Sequence, residues 1–231
     1  MFSGGVTSVL RQKRSYYGDL VNPEEYPYVV RLYNNEDQFY CAGSIINSRL
    51  ILTVAHCIED SKYVAVFQGS WIRYNVRRRI AYSQTSLLSI NFIVDEIALL
   101  LLEEPIKNAQ VIRLPPRNFD VPPGAVTSAI GLGVLTKETH RSNNLRKVDL
   151  PITDAFPCTT RYENAPNWIC TDSHDGCVRK GDFDGGPLVW DNSVVGIVSW
   201  GDERCRRDMP SVFTKVSGFW DWIDVYISVY E

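Results

Sequence analysis

The stretch Leu52-Thr53-Val54-Ala55-His56-Cys57 sets an imidazole directly before a cysteine at the end of an apolar, β-branched run. Cys41 stands sixteen residues earlier, and a bridge between the two cysteines would pin the ring of His56. Downstream, Asp95-Glu96-Ile97-Ala98-Leu99-Leu100 puts acid at the head of a buried strand. Further on, Gly181-Asp182-Phe183-Asp184-Gly185-Gly186-Pro187 is followed by Val195-Gly196-Ile197-Val198-Ser199-Trp200-Gly201.

Around these blocks, short β-branched and aromatic runs recur between turn residues: Tyr28 to Tyr33, Cys41 to Ile46, Leu50 to Val54, Tyr63 to Gln68, Trp71 to Val76, Ile97 to Leu102, Ala125 to Ile130, Leu188 to Trp190, Val194 to Trp200 and Ser211 to Val216. That pattern predicts an all-β chain. Only the end reads as helix, because Phe219, Trp222, Ile223, Tyr226 and Ile227 repeat at spacings of three and four after a Ser217 cap. Four prolines between Pro115 and Gly124 divide the strands into two groups, as a linker between two barrels does. Arg11-Gln12-Lys13-Arg14 reads either as a solvated tail or as a protease-cut activation site.

The 231 residues carry 24 Lys+Arg against 27 Asp+Glu, with 45% apolar and 22% charged content, which excludes a disordered or collagen-like chain. A net charge of −3 gives no global pull toward nucleic acid or anionic lipid. The longest apolar run, Ile97 to Leu102, is far short of the roughly 20 residues a spanning helix needs. Met1 to Leu10 lacks the basic start and apolar stretch of an intact secretion signal, so any signal is expected to have been removed. Six cysteines, Cys41, Cys57, Cys158, Cys170, Cys177 and Cys205, form no paired C-x-x-C cluster, which favours disulfides in an oxidising compartment over zinc. The three histidines, 56, 140 and 174, show no ligand spacing, and neither metal nor cofactor is expected. No N-x-S/T sequon is present.

Together the four blocks closely resemble the chymotrypsin-like serine proteases, whose pattern runs T-A-A-H-C, D-I-A-L-L, G-D-S-G-G-P and S-W-G in that order. The resemblance covers residues 15–231. It implies two six-stranded antiparallel β-barrels with the site in the cleft between them, and a C-terminal helix. The implied layout is a propeptide-like segment over 1–14, a first barrel over about 15–115, a second over about 116–216 and the helix over about 217–230. It also implies bridges Cys41 to Cys57, Cys158 to Cys170 and Cys177 to Cys205.

This chemistry needs a hydroxyl nucleophile, an imidazole base, a carboxylate that orients the imidazole and amide donors for the oxyanion. His56 matches the base, and Glu96 falls where the family has Asp, one methylene longer. Counting back from Gly185-Gly186-Pro187, the nucleophile position holds Asp184, with Phe183 and Asp182 on the preceding acid and glycine. The interval from Cys177 to Gly185 is three residues longer than the family's, so the candidates for that position are Phe183 and Asp184, and neither has a hydroxyl. The activation sequence I-V-G-G is matched by Ser15-Tyr16-Tyr17-Gly18 after Arg14. In the specificity pocket Asp175 and Gly201 match, but Arg204 and Asp208 stand where small residues are usual, so the pocket is expected to be filled.

What the resemblance implies is therefore a secreted, monomeric, non-catalytic homologue that acts by binding proteins. The alternative is a competitor or shield for substrates of active relatives, and the least favoured reading is a working trypsin-like protease. Val195 to Gly201 and Phe219-Trp220-Asp221-Trp222-Ile223 look like the mite gut trypsin-like allergens, whose inactive relatives are the scabies mite inactivated protease paralogues. That likeness implies host defence proteins as partners, notably inhibition of complement, with no nucleic acid or membrane. Arg77-Arg78-Arg79 and Arg204-Cys205-Arg206-Arg207, beside Trp71, Tyr74 and Trp200, are candidate binding patches.

Overall fold

The computed structural model describes residues 18–82, 96–132, 144–153, 167–171, 177–178, 183–201, 206 and 209–230. A two-residue strand, Asp19–Leu20 (β1), comes first. Val29–Tyr33 (β2), Phe39–Asn47 (β3), Leu50–Thr53 (β4), Tyr63–Phe67 (β5), Trp71–Ala81 (β6) and Ala98–Leu102 (β7) then close into an antiparallel barrel, in the order β2-β3-β4-β7-β6-β5. The run Ala98–Leu102 is buried at every position, because one face fills the barrel and the other lies beneath neighbouring chain.

The second half contributes Val126–Gly131 (β8), Arg146–Pro151 (β9), Trp168–Thr171 (β10), Pro187–Trp190 (β11), Ser193–Trp200 (β12) and Ser211–Lys215 (β13). They form a sheet in the order β1-β9-β8-β11-β12-β13-β10. Its ends meet where Ile152 bridges Thr171 and the Thr153 amide donates to the Cys170 carbonyl at 3.0 Å. Strands β8 to β13 thus wrap into a second barrel, with β1 added outside β9. This is the expected all-β, two-barrel architecture. Strands β1, β9 and β10 are additional to the sequence-based strands, and β6 runs five residues past its expected end, through Ala81.

A helix, Trp220–Val229 (α1), follows β13 after a 3-10 turn over Val216–Phe219. Ser217, expected as its cap, instead donates to the Phe119 carbonyl at 2.7 Å. Trp220 Nε1 donates to the Pro115 carbonyl at 2.5 Å, so both groups fasten the proline-rich linker. Ile223 and Phe219 are buried in the apolar cluster of the first barrel, alongside Leu50, Leu100 and Ile106. The helix therefore ties the end of the second half to the core of the first. Cys41 is bridged to Cys57. Cys170 and Cys177 are each in a disulfide, and the partners expected for them, Cys158 and Cys205, lie outside the described residues.

The two barrels are joined by the backbone of residues 183–186. Ala42 N–H donates to the Asp184 carbonyl (2.8 Å), Gly185 N–H to Val198 (3.0 Å), Gly186 N–H to Phe183 (2.7 Å) and Val198 N–H to Gly186 (2.9 Å). Gly185 sits at φ +77, where a Cβ would lie 2.3 Å from both the Ala42 carbonyl oxygen and Thr53 Oγ1. Phe183 holds φ +62, a conformation bulky residues rarely adopt. Its ring is 3% exposed within the second core and lies against Gly131, where a Cβ would come within 2.8 Å of the ring. Burial of the ring offsets a backbone cost of about 1–3 kcal/mol.

Gly185→Ala is expected to destabilise the chain by at least about 2 kcal/mol, since it combines left-handed strain with a clash against rigid backbone. Urea unfolding of the two proteins checks this, and equal midpoints would contradict the seam as described.

Candidate functional site

His56 sits on a single 3-10 turn, Ala55–Cys57, immediately after β4. The following residues are braced from several sides. Tyr40 donates its hydroxyl to the Cys57 carbonyl and also meets Ser61 Oγ, which itself donates to the Cys57 carbonyl at 2.7 Å. Arg79 places Nε and Nη2 at 3.0 and 2.5 Å from the Ser61 carbonyl. Of the Arg77-Arg78-Arg79 cluster, then, Arg79 is committed to holding the loop behind His56, while Arg77 and Arg78 remain exposed. No sequence motif marked Tyr40, Ser61 or Arg79 for this role, because the contacts join separate strands.

Glu96 precedes β7, and its carbonyl accepts from Thr214 Oγ1 at 2.9 Å, so the second barrel fixes its backbone. Its Oε2 accepts from the His56 backbone N–H at 3.3 Å and lies 3.1 Å from His56 Nδ1. On the other side of the ring, Asp184 Oδ2 lies 3.6 Å from His56 Nε2. The structure thus brings His56, Glu96 and Asp184 together, and of the two candidates for the nucleophile position it sets Asp184 at the imidazole and Phe183 in the core. The Ser199 hydroxyl is buried with no partner among the described residues. Asp175, Arg204 and Asp208 lie outside the described residues, as does Cys205, and Gly201 is buried.

The electrostatics follow from burial. The side chains of Glu96 and Asp184 are only 16% and 15% exposed, against 43% for His56. Two nearly buried carboxylates need a cation between them, because an unpaired buried charge is costly. Desolvation opposes charging the His56 ring, but hydrogen bonds and charge from Asp184 and Glu96 outweigh it and raise its pKa from 6.5 to about 9. For Glu96, desolvation pushes upward and is outweighed by hydrogen bonds and charge from His56, so its pKa is lowered. At neutral pH the ring is an imidazolium with both nitrogens facing carboxylate oxygens.

This arrangement differs chemically from a base poised to accept a proton. A general base must present a free lone pair at the working pH, and an imidazolium does not. Asp184 offers an acceptor on the side where a nucleophile would have to donate. Beside it, a recess lined by Phe39, Tyr40, Cys41, Ala42, Leu132, Phe183 and Asp184 has no room for a water-sized guest.

Comparison with known proteins gives a consistent picture. The family model described as Trypsin matches residues 16–223. Brachyurin of Leptuca pugilator is 30% identical over 221 residues, spanning 90% of this chain and 96% of that protein. Trypsin of Phaedon cochleariae is 30% identical over 228 residues, spanning 90% and 86% respectively. The solved structure of neuropsin, a serine protease expressed in the limbic system of mouse brain, shares the fold at TM-score 0.79 and 23% identity, covering 91% of this chain and 98% of that one.

A proton titration tests the site. The His56 ring signals, followed by NMR, should titrate near pH 9 rather than 6.5 and move toward the ordinary value in Asp184→Asn. Because the folded-state pKa is raised, the stability His56 contributes is fully present below pH 6.5 and is lost as pH rises through about 9. The Glu96 contribution has the opposite sense and is lost as pH falls through its lowered pKa. A midpoint of 6.5 in the native protein would contradict the charge assignment.

Proposed function

The chain belongs to the trypsin family, and from that membership, joined to a carboxylate where the family's chemistry needs a hydroxyl, we propose that it is a non-catalytic homologue that acts by binding other proteins. The observation that carries this reading is the approach of Asp184 to His56 Nε2 at 3.6 Å. Loss of the nucleophile from a triad costs about a million-fold in turnover, equivalent to roughly 8 kcal/mol of barrier. A carboxylate nucleophile does not replace it, since the anhydride it would form with an acyl group is uphill.

Activation supports the same reading. In the family the acid before the nucleophile receives the new N-terminus, and here that place is taken by Phe183, buried among Ala129, Val148 and Leu188. An apolar ring gives a cationic terminus no counter-charge. Secretion accords with the disulfide Cys41–Cys57. From the sequence likeness to inactive mite paralogues we take the partners to be host defence proteins, with complement components as the target. Affinity is then carried by surface outside the cleft, where a few aromatic or Arg anchors dominate.

Purified protein is expected to show no turnover of peptide substrates and no labelling by organophosphonates that modify active serines. Asp184→Ser alone should also stay inactive, because Phe183 and the loop before it are unchanged. In a serum lysis assay of antibody-coated red cells, wild type and His56→Ala should protect the cells equally. Stoichiometric labelling of the native chain would defeat the non-catalytic reading, and absence of protection would defeat the complement target.

A further inference from the structure

Strand β6 outruns its neighbour. Its second half pairs with β7 from Val76 to Ala81, with a register shift between Val76 and Arg78, while Trp71 to Asn75 pair only with β5. The hydrogen bonds Gln68 N–H to Ser70 O and Val76 N–H to Lys62 O, both 2.9 Å, fix the phase of the β5–β6 ladder. Ile72 and Tyr74 therefore turn their N–H and C=O toward β5, and Trp71, Arg73 and Asn75 turn theirs the other way. The Asn75 carbonyl is taken by Glu103 N–H at 3.0 Å. Beyond it, among the described residues, no hydrogen bond reaches the amide or carbonyl of Arg73.

The chain that would have covered this edge turns aside. Lys107 N–H donates to the Tyr74 hydroxyl at 3.4 Å, and the Lys107 carbonyl accepts from Gln68 Nε2 at 2.5 Å. What is left is a cavity of about 440 Å³ along the edge, lined by Gln68, Ile72, Arg73, Tyr74, Asn75, Glu103, Glu104 and Lys107. Ile72, on its floor, is 38% exposed. An unpaired strand edge beside a groove is the template for adding an extended strand, with main-chain hydrogen bonds supplying affinity and side-chain pockets supplying selectivity.

We infer that the open edge Trp71–Asn75 of β6 accepts an extended strand from a partner protein, with an acidic side chain opposite Arg73 and an apolar one over Ile72. The purpose of this site rests on the binding reading above, but its geometry does not. A second copy of the chain fits poorly. Two β6 edges paired about their middle would set Arg73 against Arg73, with Arg77 and Arg78 close by, and like charges opposite one another destabilise a ladder. Arg73 is exposed on the outer face, stacked over Tyr63 at 3.7 Å, and its Nη2 makes only a long, exposed 3.9 Å contact with Asp37, which leaves the guanidinium open to an acidic guest residue.

Hydrogen exchange on the full chain tests the edge directly. In the free protein the Trp71 and Arg73 amides should exchange at least about tenfold faster than those of Ile72 and Tyr74, and equal protection would overturn the proposal. The probe is a capped decapeptide of alternating Val and Glu. It should slow Arg73 exchange, whereas the Val and Lys version should not. Methylating the backbone nitrogens of one alternate set of residues should abolish the effect, and methylating the other set should preserve it. Ile72→Ser, with an unchanged circular dichroism spectrum, should weaken binding by about tenfold, or roughly 1.4 kcal/mol. Indifference to the methylation phase, or shifts that map away from β6, would overturn the inference. So would protection of Arg73 that rises with protein concentration alone, which marks a second copy, or exposure of Arg73 only after deletion of residues 1–14. If the chain proved to turn over substrate, the non-catalytic reading would fail while protection of Arg73 by the peptide still established the edge.

Discussion

The two barrels meet at a point where there is no room for a side chain. Gly185 presses its main chain against the Ala42 carbonyl and Thr53 Oγ1, and its amide reaches back to Val198. That single close approach sets the distance between halves, and with it the distance from the His56 ring, carried by the first barrel, to Asp184. Phe183 and Gly186 serve the same crossing from below, one by burying a ring and the other by closing the turn. The crossing geometry is met here without a hydroxyl at position 184. The constraint thus lies in the backbone, while the chemistry at the crossing is set by whichever side chain position 184 carries.

The charge arrangement follows from that fixed distance. Two carboxylates are held on either side of one imidazole, and the imidazole responds by staying protonated. The charge of the second carboxylate is offset by the proton it helps to hold on the ring. The site is then a small salt cluster. Such clusters lend specificity of packing more readily than stability, since desolvation consumes most of the Coulomb gain.

Much of this was legible in the sequence because the informative residues lie close together along the chain. The His56-Cys57 pair, the acid before β7 and the double glycine before β11 each sit within a short block whose spacing survives. The strands that went unread have physical reasons. Strand β1 is only two residues long, too short to show a period. Strand β9 spells Arg-Lys-Val-Asp-Leu-Pro, where the buried positions alternate correctly but one of them is Arg146, whose Nη1 donates to the Gly18 carbonyl at 2.7 Å. Three arginines hid the second half of β6, because charge on an outer strand face imitates a loop. The placement of Asp184 against His56 depended on a loop of altered length, which spacing alone left open between two residues.

The helix α1 and Phe219 carry a further consequence, for how the chain is made. Strands β2 to β7 are complete once residue 102 has emerged from a ribosome, yet the cluster they enclose is finished by Phe219 and Ile223. β1 waits as long for a partner, since it pairs with β9. The first barrel cannot reach its final packing until Phe219 and Ile223 have emerged, so it must persist for more than a hundred residues of elongation with part of its core uncovered. A premature stop anywhere before the helix would release that unfinished barrel, with greasy surface open to water, rather than a smaller stable protein.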